Sequence, residues 1–236
     1  MRIGIIGAME AEVAHLVERL EGHREAARAG MRFHEGLLDG RSVVVVECGV
    51  GKVNAALCVQ MLADLYDATH VVNTGVAGSL DARINIGDFV VSTEALYHDV
   101  DVCNLGYEPG QVPGMQRLFP ADKDLRREAL AAIAAAAPDQ QAFEGRIVSG
   151  DQFIRDDDVK QRLASQFGGL CSEMEGAAIA HACTLNGIAF VIIRAISDKA
   201  DGSDSVLYPV FEVKAAKHCA QITEYLVSHL PQPEGE

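Results

Sequence analysis

Arg2-Ile3-Gly4-Ile5-Ile6-Gly7-Ala8-Met9-Glu10-Ala11-Glu12 is the stretch on which the fold turns. After Arg2 its first half is a short, charge-free run rich in Ile, the composition of a strand buried on both faces. Gly7 ends the run. From Glu10 onward the apolar residues return at three- and four-residue steps, the period of an amphipathic helix. A buried strand feeding straight into a helix is the opening of a βαβ unit.

Working outward, the same alternation repeats. Candidate strands fall at residues 2–6, 42–47, 70–73, 88–93, 146–149 and 189–196, and candidate helices at 10–20, 53–66, 122–136, 157–167, 173–185 and 211–230. The order predicts an α/β fold with a largely parallel sheet. There is no internal repeat and no Ser/Gly-rich linker, so 236 residues read as one domain over 1–230, with 231–236 as a C-terminal tail.

Composition narrows the function. A hydrophobic share of 49% and a charged share of 23% suit an ordinary globular protein. The net charge of −14 opposes binding to nucleic-acid phosphates. The six cysteines form no C-x-x-C pair and read as reduced, mostly buried thiols. No stretch reaches the ~20 apolar residues that span a bilayer, because the most apolar one, 185–196, carries Asn186 and Arg194. The apolar run at the N-terminus is too short for a signal peptide, and a cytoplasmic location is expected.

The unusual short sequences follow predicted strands: Gly7-Ala8-Met9-Glu10-Ala11-Glu12, Gly49-Val50-Gly51-Lys52, Asn73-Thr74-Gly75-Val76-Ala77-Gly78, Ser149-Gly150-Asp151-Gln152-Phe153 and Ser197-Asp198. In a parallel sheet these positions share one edge, where ligands bind. Several familiar chemistries are absent. Gly49-Val50-Gly51-Lys52-Val53 lacks the earlier glycine and the Ser/Thr of a phosphate-binding loop, and Gly4-x-x-Gly7 lacks the dinucleotide order. No G-x-S-x-G surrounds any Ser. His98-Asp99 and Asp101 have no second His or Cys at ligand spacing and read as a polar loop. No metal or cofactor is called for.

What remains is a set of acids beside glycines and apolar residues: Glu12, Glu173, Glu175 and Asp198. Singly, Glu12 and Glu175 suit the first turn of a helix and Asp198 suits a cap. Together, in a dry crevice, such carboxyls would be raised in pKa and able to donate protons at neutral pH.

These residues resemble the bacterial 5'-methylthioadenosine/S-adenosylhomocysteine nucleosidases, within the nucleoside phosphorylase superfamily. The likeness runs through Ile3-Gly4-Ile5-Ile6-Gly7-Ala8-Met9-Glu10, the segments quoted above, Tyr97-His98-Asp99, Glu173-Met174-Glu175 and Arg194-Ala195-Ile196-Ser197-Asp198. It implies a single α/β domain with a central twisted, mixed, partly barrel-like β-sheet flanked by helices, and a homodimer. It implies hydrolysis of 5'-methylthioadenosine, S-adenosylhomocysteine and 5'-deoxyadenosine, with release of adenine, in methionine salvage. By the same resemblance Asp198 is the general acid at adenine N7 and Glu12 the base that activates water. Glu175 grips the ribose hydroxyls with Met174 against the sugar, Phe153 stacks on the base and the Ile154 backbone reads its edge. Gly78, Glu173 and Ser197 complete the binding set. Met9, Val102, Leu105, Tyr107 and Tyr208 line the pocket for the 5'-alkylthio group, with Pro113 of the partner subunit reaching in. Val76, Leu105 and Tyr208 depart from the residues common at those positions.

Other readings weigh less. A phosphorylase needs cations around phosphate, and the first loop offers Glu10 and Glu12 instead. Hydrolysis of aminodeoxyfutalosine would use the same chemistry. A non-catalytic nucleoside sensor would lack an acid or a base, and both are present. A nicotinamide oxidoreductase would carry the missing glycine fingerprint.

Overall fold

The computed structural model describes residues 1–200 and 208–231, for 208–214 the backbone alone. Tyr208 as a pocket side chain and residues 232–236 of the expected tail therefore lie outside the described residues.

The chain runs β1 (Ile3–Gly7), α1 (Glu10–Glu18), β2 (Glu21–Arg28), β3 (Met31–Leu38), β4 (Arg41–Glu47), α2 (Lys52–Tyr66), β5 (His70–Ser79) and β6 (Phe89–Tyr97). A loop follows with one 3-10 turn (Cys103–Leu105). Then come β7 (Phe119–Pro120), α3 (Lys123–Ala136), β8 (Ala142–Ser149), α4 (Asp157–Phe167), β9 (Gly169–Glu173), α5 (Gly176–Asn186), β10 (Ala189–Asp198) and α6 (Tyr208–His229).

Strands β10, β6, β8, β9 and β5 pair in that order, and β5 pairs back onto β10, closing a five-stranded barrel. From β5 the sheet continues outward through β1, β4 and β3 to β2. The sheet is mixed. Pairs β1–β4, β1–β5, β5–β10, β6–β8 and β8–β9 are parallel, while β2–β3, β3–β4, β5–β9 and β6–β10 are antiparallel. This corrects the largely parallel sheet expected from the alternation of elements and agrees with the mixed, partly barrel-like sheet that the resemblance implies. The β2–β3 hairpin escaped that reading because β2 lies at the sheet edge, largely exposed, and its residues EGHREAAR carry no apolar alternation. Residues 169–173 escaped it because the short strand β9 abuts α5, and the helix begins at Gly176 instead of Glu173.

Ile3 and Ile5 pack into one core layer with residues of α1, α3 and α6, while Ile6 packs into another with α2 and α5. That two-sided burial is the reason β1 is continuously apolar. Beneath α4, Leu163 and Phe167 join Leu80, Leu96 and Val148 in a smaller cluster.

The motif residues 73–79 and 197–198 are strand, not loop, because β5 and β10 run on past their apolar halves. Convergence at one edge has two sources. β1, β5 and β10 are parallel, β1 stopping beside Asn73 while β5 and β10 run on together to Gly78 and Asp198, and β9 meets β5 head-on, Gly78 opposite Ser172, which brings Glu173 to the same place.

Candidate active site

At this edge lies a cavity of about 190 Å³. Its lining takes Met9 and Glu12 from α1 and the turn before it, Val76 and Gly78 from β5, and Phe153 and Ile154 from the loop after β8. Ser172 and Glu173 of β9, Met174 and Glu175 before α5, and Ser197 and Asp198 of β10 complete the acidic side. Val102 and Tyr107, on the loop after β6, are absent from the lining formed by the single chain, and Leu105 on that loop is exposed. A second hollow of about 220 Å³, beside Phe89 and His218, has no carboxylate in its lining among the described residues.

Glu12 is the third residue of α1, and its side chain turns back on the helix start. Oε2 accepts from the N–H groups of Ala8 (2.6 Å) and Met9 (3.1 Å), and Oε1 accepts from that of Val76 (3.1 Å). Backbone from two elements thus fixes one carboxylate, which remains at the cavity. Burial pushes its pKa above the ordinary value, opposed by the charge of Arg194 and those three N–H groups.

Two glycines make room for the acids. A Cβ at Gly75 would overlap Glu12 Oε1, and one at Gly78 would stand 3.0 Å from both Asp198 oxygens. The glycines of residues 73–78 therefore let carboxylates from other elements lie flat against the β5 backbone.

Glu175 caps α5 and accepts from the Gly51 N–H at 2.8 Å. Burial pushes its carboxyl up to about 7, with Glu173 adding to the effect and Arg194 opposing it. Glu173 lines the cavity, but the bonds of its carboxylate run to the fold: to Ser149 Oγ, the Glu175 and Gly176 N–H groups, and Arg194. The Arg194 guanidinium is fully buried and also donates to Asn73 Oδ1 at 2.6 Å. Burial works against its charge, and Glu173, Glu175 and Glu12 more than offset that. Glu12, Glu173 and Glu175 are thus gathered around one buried guanidinium.

Asp198 differs from the dry-crevice expectation. Its side chain is 32% exposed and forms an ion pair with Lys160 of α4, Nζ to Oδ2 2.6 Å. Lys160 Nζ also donates to the Lys199 carbonyl at 2.6 Å, and Ser197 Oγ donates to Asp198 Oδ1 at 3.0 Å. The pairing of β10 with β5 slips between Ile196 and Asp198, so that Ser197 is an extra residue. Such a bulge re-aims the side chain that follows it. Phe153 stands at the mouth, 69% exposed.

Sequence reasoning missed three polar groups here. Arg194 carried a signal, a lone cation in an apolar strand, but was read only as an interruption. Lys160, on a polar helix, carried none. Nor did Ser172, whose buried hydroxyl has no protein partner. The polar loop expected at His98-Asp99 is tied down through Asp99, which accepts from Lys52 Nζ (2.6 Å) and the Asp151 N–H (2.9 Å). All six cysteines are free, and all but Cys103 are buried.

The barrel is closed between β5 and β10, with carboxylates gathered where those strands end, and the family model of the "Phosphorylase superfamily" matches residues 2–228. The 5'-methylthioadenosine/S-adenosylhomocysteine nucleosidase of Geobacillus sp. (strain WCH70) is 42% identical over 98% of this chain and 99% of its own. The crystal structure of the nucleosidase of that name from Colwellia psychrerythraea 34H, in complex with adenine, superposes with a TM-score of 0.91 at 39% identity, covering 98% of this chain and 96% of that one. The futalosine hydrolase of Helicobacter pylori strain 26695 gives 0.90 at 29% identity, with 98% of each chain covered. The chain belongs to the 5'-methylthioadenosine/S-adenosylhomocysteine nucleosidase family.

Proposed function

We propose that the protein hydrolyses the N-glycosidic bond of 5'-methylthioadenosine and S-adenosylhomocysteine, releasing adenine. One observation carries this reading. Among the described residues the cavity lining holds Glu12, Glu173, Glu175 and Asp198 and no Lys, Arg or His. That lining offers phosphate no free cation, since Arg194 and Lys160 behind it are engaged by Glu173 and Asp198, so water is the nucleophile.

The chemistry follows from the placement. Asp198 relays a proton from solvent to adenine N7 as the C–N bond breaks and the bonding pair passes to the base. The ribosyl cation that remains is stabilised by the surrounding carboxylates, as in glycosidases. Glu12, held by three N–H groups, takes a proton from the water that captures the cation. Glu175 accepts from the ribose hydroxyls, Met174 packs on the sugar, Phe153 stacks on the base and the Ile154 backbone meets its edge. Glu173 holds Arg194 and the start of α5 in place, so its part in binding is indirect.

A homodimer fits the exposed apolar side chains of Val53 and Leu57, one helical turn apart on α2. In it Pro113 of the partner subunit would reach the 5' end of the cavity, where Val102, Leu105 and Tyr107 are expected to line the pocket. A cytoplasmic location and a place in methionine salvage belong to the same proposal; among the described residues no helix is long and apolar enough to cross a membrane.

Asp198→Asn tests the acid. Turnover should fall by ~10²- to 10⁴-fold while the circular dichroism stays unchanged. A variant as active as the parent would remove the assignment.

A further inference from the structure

The β2–β3 hairpin carries a cluster for which the reaction has no use. β2 is the free edge of the sheet and pairs antiparallel with β3, Glu25 directly opposite His34. His23 stands in the irregularity between Glu21 and Arg24, where the pairing shifts register, and its ring reaches across to His34. The turn at Ala29 (φ 47°) and Gly30 (φ 80°) has both central residues left-handed, the geometry that fixes a two-residue hairpin. His23 Nε2 stands 2.9 Å from His34 Nδ1, and Glu25 Oε2 stands 3.8 Å from that same nitrogen. One ligand atom from each of the three side chains lies within 4.8 Å of the others.

Two imidazole nitrogens and one carboxylate oxygen are a donor set for zinc and its neighbours, not for calcium or magnesium, which take oxygen ligands. Metal–nitrogen bonds of about 2.0–2.1 Å at tetrahedral angles put two ligand nitrogens roughly 3.3 Å apart, so the ring nitrogens here need to open by only a few tenths of an ångström. A single proton now bridges them, and a cation would take its place. The cluster also sits where a link would matter, since β2 pairs with the sheet only through β3.

We propose that His23, Glu25 and His34 form a surface site for a borderline divalent cation, zinc or nickel, with water completing the coordination and the ion clasping the edge strand to its neighbour.

The test is calorimetric titration of tag-free, chelator-stripped protein with nickel chloride and, separately, zinc chloride. A Cys103→Ser background removes the exposed thiol as a competing ligand. The proposal expects saturation at one cation per chain and reversal by EDTA. His23→Ala and His34→Gln should each weaken binding at least tenfold, and Glu25→Gln less, with adenine release unchanged in all three. Backbone amides of residues 21–37 should exchange more slowly only when metal is present. No saturable binding up to millimolar cation, or binding undiminished in both histidine variants, would overturn it. Because the hairpin lies outside the cavity, neither result bears on the hydrolase reading.

Discussion

Replacing Glu175 by Gln swaps a buried carboxyl for a neutral group of the same shape that can still accept from the Gly51 N–H. The carboxyl ordinarily titrates at 4.5 and is pushed up to about 7 in the folded chain, chiefly by burial. A displacement of that size corresponds to about 3 kcal/mol between folded and unfolded states. The sign follows from proton binding. Below pH 4.5 both states hold the proton and the contribution is fully present. As pH rises toward 7 the unfolded carboxyl ionises first, so the fold loses stability, and the loss is complete somewhat above pH 7. Gln mimics the protonated form throughout. Glu175→Gln should therefore match the parent near pH 4.5 and exceed it by up to about 3 kcal/mol at pH 8, a rise in melting temperature of about 6–12 °C. Urea unfolding followed by circular dichroism at pH 5, 6.5 and 8, at one protein concentration, measures it. The same variant should lose turnover, since stability and activity compete at this residue. Parallel stability curves for the two proteins, or a variant weaker at pH 8, would refute the burial argument.

Three further outcomes follow from the site. Gly75→Ala should leave the protein folded but lower kcat by roughly 10²-fold, because the new methyl displaces a Glu12 carboxylate that three N–H groups prevent from swinging aside; steady-state kinetics beside a melting curve would show it. Lys160→Met should reduce kcat on the order of tenfold with little change in KM, with partial recovery in Lys160→Arg, because the ammonium holds the Asp198 carboxylate and the Lys199 carbonyl together. The acid limb of the pH profile of kcat/KM should lie above 4.5, since Glu12 must be ionised to act as base and its pKa is raised; a limb at or below that value would contradict the role of burial.

Much of this was legible in the residues. The Ile run of β1, the helical period after it and the glycines of residues 73–78 marked an α/β fold and the place of the acids. The glycines, though, spoke for close approach within a strand and not for a loop. β2 was illegible because an edge strand exposed on both faces needs no apolar alternation. The closure of β5 onto β10 is a long-range pairing that no local pattern records. At the site, the identity of the acids was legible and their environment was not. Glu12 and Glu175 are the buried, raised carboxyls, Asp198 is paired to a lysine from a distant helix, and Glu173 is consumed by Ser149 and Arg194. Those differences depend on which atoms meet across the sheet, and spacing alone does not carry that.

The central claim is that this cavity splits a thio-substituted adenosine with water, by means of Glu12. The direct measurement is adenine release from 5'-methylthioadenosine in phosphate-free buffer, repeated with phosphate added and with Glu12→Gln protein. The account predicts release without phosphate, no gain when phosphate is present, and loss of release in the variant. Release that depends on phosphate, or that survives Glu12→Gln, would contradict it.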